Sequence, residues 1–272
     1  MAYVLTRDGT KLYYKDWGAG QSVILIHGWP LSADSWDDIA MAIADAGFRV
    51  IAYDRRGFGR SQQAWHGYDY NTLADDLADV MQTLRTGDSV LVGFSMGGGE
   101  VARYMSRYQG KGVTKAALIA SIVPYVMKTE TNPQGVDKSV FEDMLKDIKE
   151  ERPKFFSNFF KDFYGVSLLS HPVSDELIRW SSNIGMEAGL KGVVDCVHAF
   201  SETDFRPELN AFTVPTLIIH GTADKIVPIE PSARAANKGI ANSVLMEYDG
   251  QPHGLLATQK TRLIEDLIAF LR

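Results

Sequence analysis

The sequence has one cysteine, Cys196, and no long apolar run. A single cysteine cannot form an intrachain disulfide, which excludes a disulfide framework and suits a reducing compartment. No stretch approaches the roughly 18 apolar residues of a membrane span. The first residues also lack the basic and apolar regions of a signal peptide. From these missing signals we expect a cytoplasmic protein with no membrane partner.

Positive charge is scarce as well. The chain has 28 Lys and Arg against 34 Asp and Glu, a net charge of -6. A nucleic-acid partner is therefore not expected, because phosphate binding needs basic residues clustered on one face. No pair of His or Cys has the spacing of metal ligands, so we expect no metal site. What the chain does have is 272 residues, 45% of them hydrophobic, enough for one large domain or one domain with an insertion.

Apolar runs alternate with helix-like segments through most of the chain. Near-continuous apolar runs of this kind are typical of strands that are covered on both faces by helices. Alternation of strands and helices predicts a mostly parallel sheet with right-handed crossovers. The runs predicted as buried strands are residues 22–26, 48–53, 89–94, 116–120, 215–219 and 244–248.

This alternation stops between residues 123 and 212. No buried strand is evident there, and helical patterns rich in aromatic residues take its place. We interpret the segment as a helical cap inserted between two strands of the core. The sequence thus predicts an α/β fold with a core formed by residues 1–122 and 213–272 and a cap formed by residues 123–212.

One motif, Gly93-Phe94-Ser95-Met96-Gly97, matches the G-x-S-x-G pattern of a nucleophile elbow. An apolar strand precedes it and a helical pattern follows it. In such a turn the serine backbone is strained, and side chains two positions away on either side would collide, so both positions are glycine. The turn exposes the Ser95 hydroxyl beside a helix N-terminus, which predicts a nucleophile. A glycine-rich turn that merely joins strand to helix is the alternative.

A serine nucleophile needs a base, and the base needs a carboxylate that fixes its tautomer. In chain order these follow the serine as Asp or Glu and then His. Asp224 comes directly after the buried strand 215–219, and His253 comes directly after the last strand. Both positions lie at the carboxyl edge of the predicted sheet, where Ser95 also lies. Glu247 and Asp249 are alternative acids, but both precede the histidine within its own strand.

Two other histidines precede a glycine at a strand end. We predict that His27 and His220 brace loops rather than react. The basic motif Asp54-Arg55-Arg56-Gly57-Phe58-Gly59-Arg60-Ser61 is interpreted as a structural turn after its strand, because its glycines interrupt the arginines.

Four motifs together resemble the cofactor-free, non-heme haloperoxidase, perhydrolase and arylesterase branch of the α/β-hydrolase family. They are residues 27–31, 54–61, 93–99 and 220–228. The resemblance runs nearly end to end. It implies an α/β-hydrolase fold, no cofactor and a triad of Ser95, Asp224 and His253. It also implies that the backbone N–H groups of Trp29 and Met96 form the oxyanion hole, as expected for donors at a strand end and a helix N-terminus.

The resemblance also indicates an apolar acyl or aryl pocket above Ser95. For any single aromatic residue, packing in the cap core is the alternative. Pro30 has two interpretations: in perhydrolase-like members a proline here is associated with hydrogen peroxide competing well against water, or it only stiffens the loop. The candidate pocket residues are Pro30, Phe94, Val123, Phe159, Phe163, Phe200 and Ile226.

These residues lead us to expect a serine-dependent hydrolase of small aryl or alkyl esters, with water or hydrogen peroxide as the acyl acceptor. Three alternatives stay open. An amidase or lactamase could use the same triad, a dehalogenase or epoxide hydrolase would need a carboxylate where Ser95 stands, and a catalytically silent ligand-binding protein could retain the fold. The resemblance also allows for a homo-oligomer.

Overall fold

An eight-stranded sheet runs through the computed structural model, which describes residues 2–272. The strand order is β1-β2-β4-β3-β5-β6-β7-β8. The β1–β2 and β2–β4 pairs are antiparallel and all the others are parallel, so the predicted mostly parallel sheet is confirmed. The strands are β1 (Tyr3–Leu5), β2 (Lys11–Gly18), β3 (Ser22–Ile26), β4 (Arg49–Tyr53), β5 (Ser89–Phe94), β6 (Val113–Ile119), β7 (Thr216–Gly221) and β8 (Ser243–Tyr248).

Helices flank this sheet. Every residue of β3 and β5 is buried, as expected of central strands that are covered on both faces. Helix α1 packs with α9, and α2 packs with α3. The helices are α1 (Asp37–Asp45), α2 (Tyr70–Thr83), α3 (Met96–Arg107), α4 (Lys138–Phe163), α5 (Asp175–Glu187), α6 (Leu190–Glu202), α7 (Ala235–Gly239), α8 (Leu255–Thr258) and α9 (Lys260–Leu271). Short 3₁₀ turns lie at Ala33–Trp36 and Arg206–Ala211, and a π turn lies at Glu230–Arg234.

The segment between β6 and β7 contributes no strand to the sheet, and all of its residues are described. It contains α4, α5 and α6, consistent with the predicted helical cap, although the division into core and cap stays a prediction. Helix α4 is kinked at Glu151 (φ −153°, ψ 74°), two residues before Pro153, which has no backbone N–H to continue the helix. After the kink, four phenylalanines repeat at helical spacing and bury one face: Phe156, Phe159, Phe160 and Phe163.

The register of the parallel strands determines where the loops meet. Ile26 of β3 pairs with Gly93 of β5, and Phe94 pairs with Ile119 of β6. Gly221 of β7 pairs with Tyr248 of β8. The carboxyl ends of these strands therefore lie along one edge of the sheet, and the loops that follow them converge there.

None of the helices within residues 2–272 combines the length and the apolar composition needed to cross a lipid bilayer.

Candidate active site

Ser95 occupies a sharp turn between β5 and α3. Its φ of 53° and ψ of −119° are unusual for a residue with a side chain and cost about 1–3 kcal/mol. A Cβ atom on Gly93 would lie 2.5 Å from the Gly97 carbonyl oxygen, and one on Gly97 would lie 2.5 Å from that of Ile26. Both positions therefore require glycine, which is the steric reason for the G-x-S-x-G spacing.

The glycine that follows two positions later serves a different contact. A Cβ atom on Gly99 would lie 2.6 Å from the Tyr70 ring. Because that space is free, the Tyr70 hydroxyl reaches α3 and donates a hydrogen bond to the Met96 carbonyl at 3.1 Å. The bond ties the first turn of α3, directly after Ser95, to helix α2.

The three predicted catalytic side chains form one hydrogen-bonded chain. His253 Nε2 lies 2.9 Å from Ser95 Oγ, and His253 Nδ1 lies 2.6 Å from Asp224 Oδ2. Because a carboxylate accepts, Nδ1 carries the hydrogen and Nε2 presents a lone pair to the serine hydroxyl. All three residues are buried. Ser95 and His253 line the cavity described below, whereas Asp224 lies behind them and does not.

Asp224 is saturated with donors. Its Oδ1 accepts the backbone N–H groups of Ile226 and Val227, each at 2.9 Å. Burial by itself would raise the pKa of Asp224. The charge of His253 and the hydrogen bonds from His220 and His253 outweigh burial and hold that pKa well below its usual range. Asp224 is therefore an anion that can orient and stabilise an imidazolium.

The alternative acids point elsewhere. Glu247 pairs with Arg234, with Oε2 at 2.6 Å from Nη2. Asp249 accepts a hydrogen bond from the Thr222 hydroxyl at 3.2 Å. Of the three carboxylates weighed from the sequence, Asp224 is the one in contact with His253.

Two free backbone amides lie beside Ser95. Within residues 2–272, neither the Trp29 N–H nor the Met96 N–H donates to a protein acceptor. Met96 follows Ser95 directly, and a Cβ atom on Gly28, next to Trp29, would lie 3.0 Å from Ser95 Cβ. The Trp29 indole is fixed by a hydrogen bond from Nε1 to the Val193 carbonyl at 3.1 Å. This arrangement can stabilise negative charge on an oxygen bound next to Ser95.

A cavity of about 410 Å³ opens above Ser95. Its volume suits a small organic molecule. Three of the predicted pocket residues line it, namely Phe159, Phe200 and Ile226. The remaining lining is mostly apolar and includes residues that the sequence analysis missed: Ile122, Val126, Val136, Val140, Phe141, Met144 and Phe155, with Asp147, Asn158, Asp162 and Lys225 as polar members.

Four predicted pocket residues lie outside this lining. Phe94 and Phe163 pack against the imidazole of His253, with ring centroids 5.3 and 4.9 Å away, and line a separate cavity of about 320 Å³. Val123 is fully buried. Pro30 packs toward α5, where its Cγ would lie 3.3 Å from a Cβ atom on Gly185. None of these four side chains lines the cavity above Ser95.

A buried ion pair, which the sequence analysis did not predict, links the loop that carries Trp29 to helix α3, which begins at Met96. Arg55 pairs with Glu100 of α3, and its Nη2 donates to the His27 carbonyl at 2.6 Å. The His27 ring accepts the Arg55 N–H at 2.9 Å. Tyr53 donates its hydroxyl to Glu100 at 2.5 Å. The motif that the sequence indicated as a turn therefore also clamps the loop that carries Trp29 to the helix that begins at Met96.

We expect Glu100→Gln to lower the free energy of unfolding by about 3–5 kcal/mol, because the Arg55 charge stays buried without a carboxylate partner. Chemical denaturation monitored by tryptophan fluorescence measures the change. The matched control is Glu142→Gln, which breaks an exposed i,i+4 pair with Lys138 and should cost less than about 0.5 kcal/mol. Equal, small losses in the two variants would contradict the clamp.

Among residues 2–272, no group of three or more His, Cys, Asp or Glu side chains is arranged to hold a metal ion.

Comparisons with known proteins agree with the resemblance noted in the sequence. The family described as alpha/beta hydrolase fold matches residues 21–258. A putative non-heme chloroperoxidase from Synechocystis sp. is 48% identical over 96% of this chain and 95% of that protein. A bifunctional esterase/perhydrolase from Acinetobacter calcoaceticus is 42% identical over the full length of both. The crystal structure of a bromoperoxidase from Bacillus anthracis superposes with a TM-score of 0.96 at 42% identity, covering 99% of both chains.

Proposed function

The chain belongs to the alpha/beta hydrolase family, and on that premise we propose that it hydrolyses small carboxylic esters through an acyl-enzyme on Ser95. The proposal rests on the hydrogen-bonded chain from Ser95 Oγ through His253 to Asp224, at 2.9 and 2.6 Å. The Ser95 end of this hydrogen-bonded series lies in a mostly apolar cavity, and two free backbone amides lie beside the Ser95 hydroxyl. Each part has a role in acyl transfer.

The first half-reaction forms the acyl-enzyme. As Ser95 Oγ attacks the ester carbonyl carbon, its proton passes to His253 Nε2, and Asp224 stabilises the resulting imidazolium. The carbonyl oxygen becomes an oxyanion held by the N–H groups of Trp29 and Met96. When the tetrahedral intermediate collapses, the bond to the alcohol oxygen breaks and His253 returns the proton to that oxygen.

The second half-reaction releases the acyl group. Water gives up a proton to His253 Nε2 as it attacks the acyl carbon. When this tetrahedral intermediate collapses, the bond to Ser95 Oγ breaks, His253 returns the proton to Oγ, and the carboxylic acid is released. Hydrogen peroxide in place of water gives a peracid by the same steps. This second acceptor is favoured by the similarity to the esterase/perhydrolase and to proteins named non-heme chloroperoxidases. Any halide oxidation would then follow in solution, by the peracid.

The experiment that tests the proposal is a substrate panel on the purified protein. It comprises short-chain and aryl esters, a bicyclic lactam, and acetate with hydrogen peroxide, together with a fluorophosphonate probe of the nucleophile. We expect turnover of aryl esters and labelling at Ser95. Turnover of the lactam alone would assign an amide substrate to the same triad. No turnover and no labelling would indicate a silent ligand-binding protein.

Pro30 provides a prediction for the choice between water and peroxide. Its ring limits the backbone conformation of Trp29, whose N–H is a proposed oxyanion donor, and it has no N–H of its own. We expect Pro30→Leu to lower the ratio of peracid to carboxylic acid several-fold. Parallel assays of peracid formation and ester hydrolysis measure the ratio. Pro207→Ala, in the 3₁₀ turn far along the chain, is the control. An unchanged ratio for Pro30→Leu would limit Pro30 to stiffening the loop.

A further inference from the structure

A second imidazole lies against the triad carboxylate. His220, the penultimate residue of strand β7, is fully buried. Its Nε2 lies 2.8 Å from the Val227 carbonyl oxygen and 3.1 Å from Asp224 Oδ2. Because a carbonyl oxygen can only accept, Nε2 carries the hydrogen and donates. The other ring nitrogen, Nδ1, has no hydrogen-bond partner within residues 2–272.

The ring of His220 therefore shares Asp224 Oδ2 with His253. One oxygen of the carboxylate, Oδ1, is held by two backbone N–H groups. The other, Oδ2, accepts the His253 Nδ1–H at 2.6 Å and lies 3.1 Å from His220 Nε2, whose single N–H it shares with the Val227 carbonyl. Both oxygens are thus fixed, and the carboxylate cannot rotate away from His253 without losing buried hydrogen bonds, each of which is costly to leave unmade.

We propose that His220 is a positioning residue of the triad, whose Nε2–H group holds the Asp224 carboxylate in place and divides its negative charge between two imidazoles. The proposal rests on the proposed function of Ser95, His253 and Asp224. It differs from loop bracing alone, in which His220 would act only through the Val227 carbonyl and its loss would leave the interaction between Asp224 and His253 unchanged.

The two roles predict different effects of pH. Without the His220 donor, Asp224 Oδ2 interacts with His253 alone. This stronger interaction favours the protonated form of the coupled Asp224–His253 pair. The acid limb of the kcat/KM profile reports that pair. It should therefore move to higher pH. A loss of packing alone would lower the amount of active enzyme and leave the limb where it was.

The test compares three variants with the wild type in aryl ester hydrolysis across pH, with active enzyme counted by fluorophosphonate titration. We expect His220→Leu to lower kcat/KM at neutral pH by roughly 10- to 100-fold, as for a lost hydrogen bond to a charged group, and to shift the acid limb upward. His220→Gln, whose amide NH₂ can donate from nearly the same position, should restore most of the rate and the limb. His198→Gln, an exposed histidine on α6 paired with Glu202, should change neither.

Two results would overturn the proposal. One is a His220→Leu variant with reduced active enzyme but an unmoved acid limb, and with His220→Gln no better. The other is a ¹⁵N-histidine NMR spectrum of the wild type in which His220 carries its hydrogen on Nδ1. This spectrum decides the donor even if the leucine variant does not fold, and it does not depend on activity. A wild type that neither turns over esters nor labels at Ser95 would instead contradict the proposed function itself.

Discussion

Ser95→Ala is expected to lower kcat for an aryl acetate by on the order of 10⁶-fold, the loss seen when the nucleophile of a serine hydrolase triad is removed. The reason is that, among residues 2–272, no other hydroxyl forms a hydrogen bond with His253 Nε2. Ser95 Oγ is the oxygen within 2.9 Å of His253 Nε2, and its backbone is held at a φ of 53° so that the hydroxyl meets the cavity. Residual activity should come only from binding and from the two free amides.

The measurement is steady-state hydrolysis with protein-normalised rates, combined with circular dichroism to show that the variant is folded. Ser182→Ala is the matched control, because the Ser182 hydroxyl donates to the Ile178 carbonyl at 2.8 Å within α5 and lies outside the cavity lining. The control should retain nearly full activity. If Ser95→Ala kept more than a tenth of the wild-type rate, the acyl-enzyme mechanism would be wrong.

The central strands could be predicted closely from the sequence because they are buried on both faces. The runs predicted at 22–26 and 89–94 match β3 and β5 residue for residue. The prediction of strand bounds was less accurate where a strand is buried on one face only or over only part of its length. Strand β6 begins at Val113, three residues before the predicted run. The prediction missed its start because the polar residues Thr114 and Lys115 interrupt the apolar pattern. Lys115 is half-buried and donates to the Phe270 carbonyl at 2.7 Å, a contact that no periodicity indicates.

The loops of the triad could be predicted for a similar reason. Parallel strands bring their carboxyl ends to one edge, so position after a strand is enough to place Ser95, Asp224 and His253 near one another. The cavity lining could not be predicted in this way. It depends on how α4 lies over the sheet after its kink at Glu151. The helical spacing of apolar residues predicts which face of α4 is buried, but not which element packs against that face.

The sequence analysis also did not predict the buried charged residues. Arg55 and Glu100 are both almost fully buried, an arrangement rare enough that a charged residue in sequence is ordinarily assigned to the surface. His220 was predicted to brace a loop, and its contact with Asp224 depends on the fold of residues 221–227. Pairing of this kind follows from three-dimensional packing and leaves no spacing pattern in the chain.

Asp224→Asn should lower kcat at neutral pH by about 10⁴-fold, the size of loss seen when a triad carboxylate becomes an amide. The Asn side chain could keep the volume and the backbone hydrogen bonds at Oδ1. However, it would offer an NH₂ group to His253 Nδ1 in place of an acceptor, or an amide oxygen of much weaker negative charge. In the first case Nδ1 accepts and the hydrogen moves to Nε2, so the lone pair that should receive the Ser95 proton is absent.

Asp249→Asn is the matched control for this variant, because it makes the same chemical change on an exposed carboxylate of the neighbouring loop, whose partner is the Thr222 hydroxyl. It should retain near wild-type kcat. Both variants should still bind the substrate, so KM changes little while kcat separates them, as determined from full saturation curves on an aryl acetate. A small loss for Asp224→Asn together with a large one for Asp249→Asn would move the acid of the triad to the other loop. Equal small losses would mean that His253 needs no carboxylate to hold its tautomer, and that the buried contact at 2.6 Å serves packing alone.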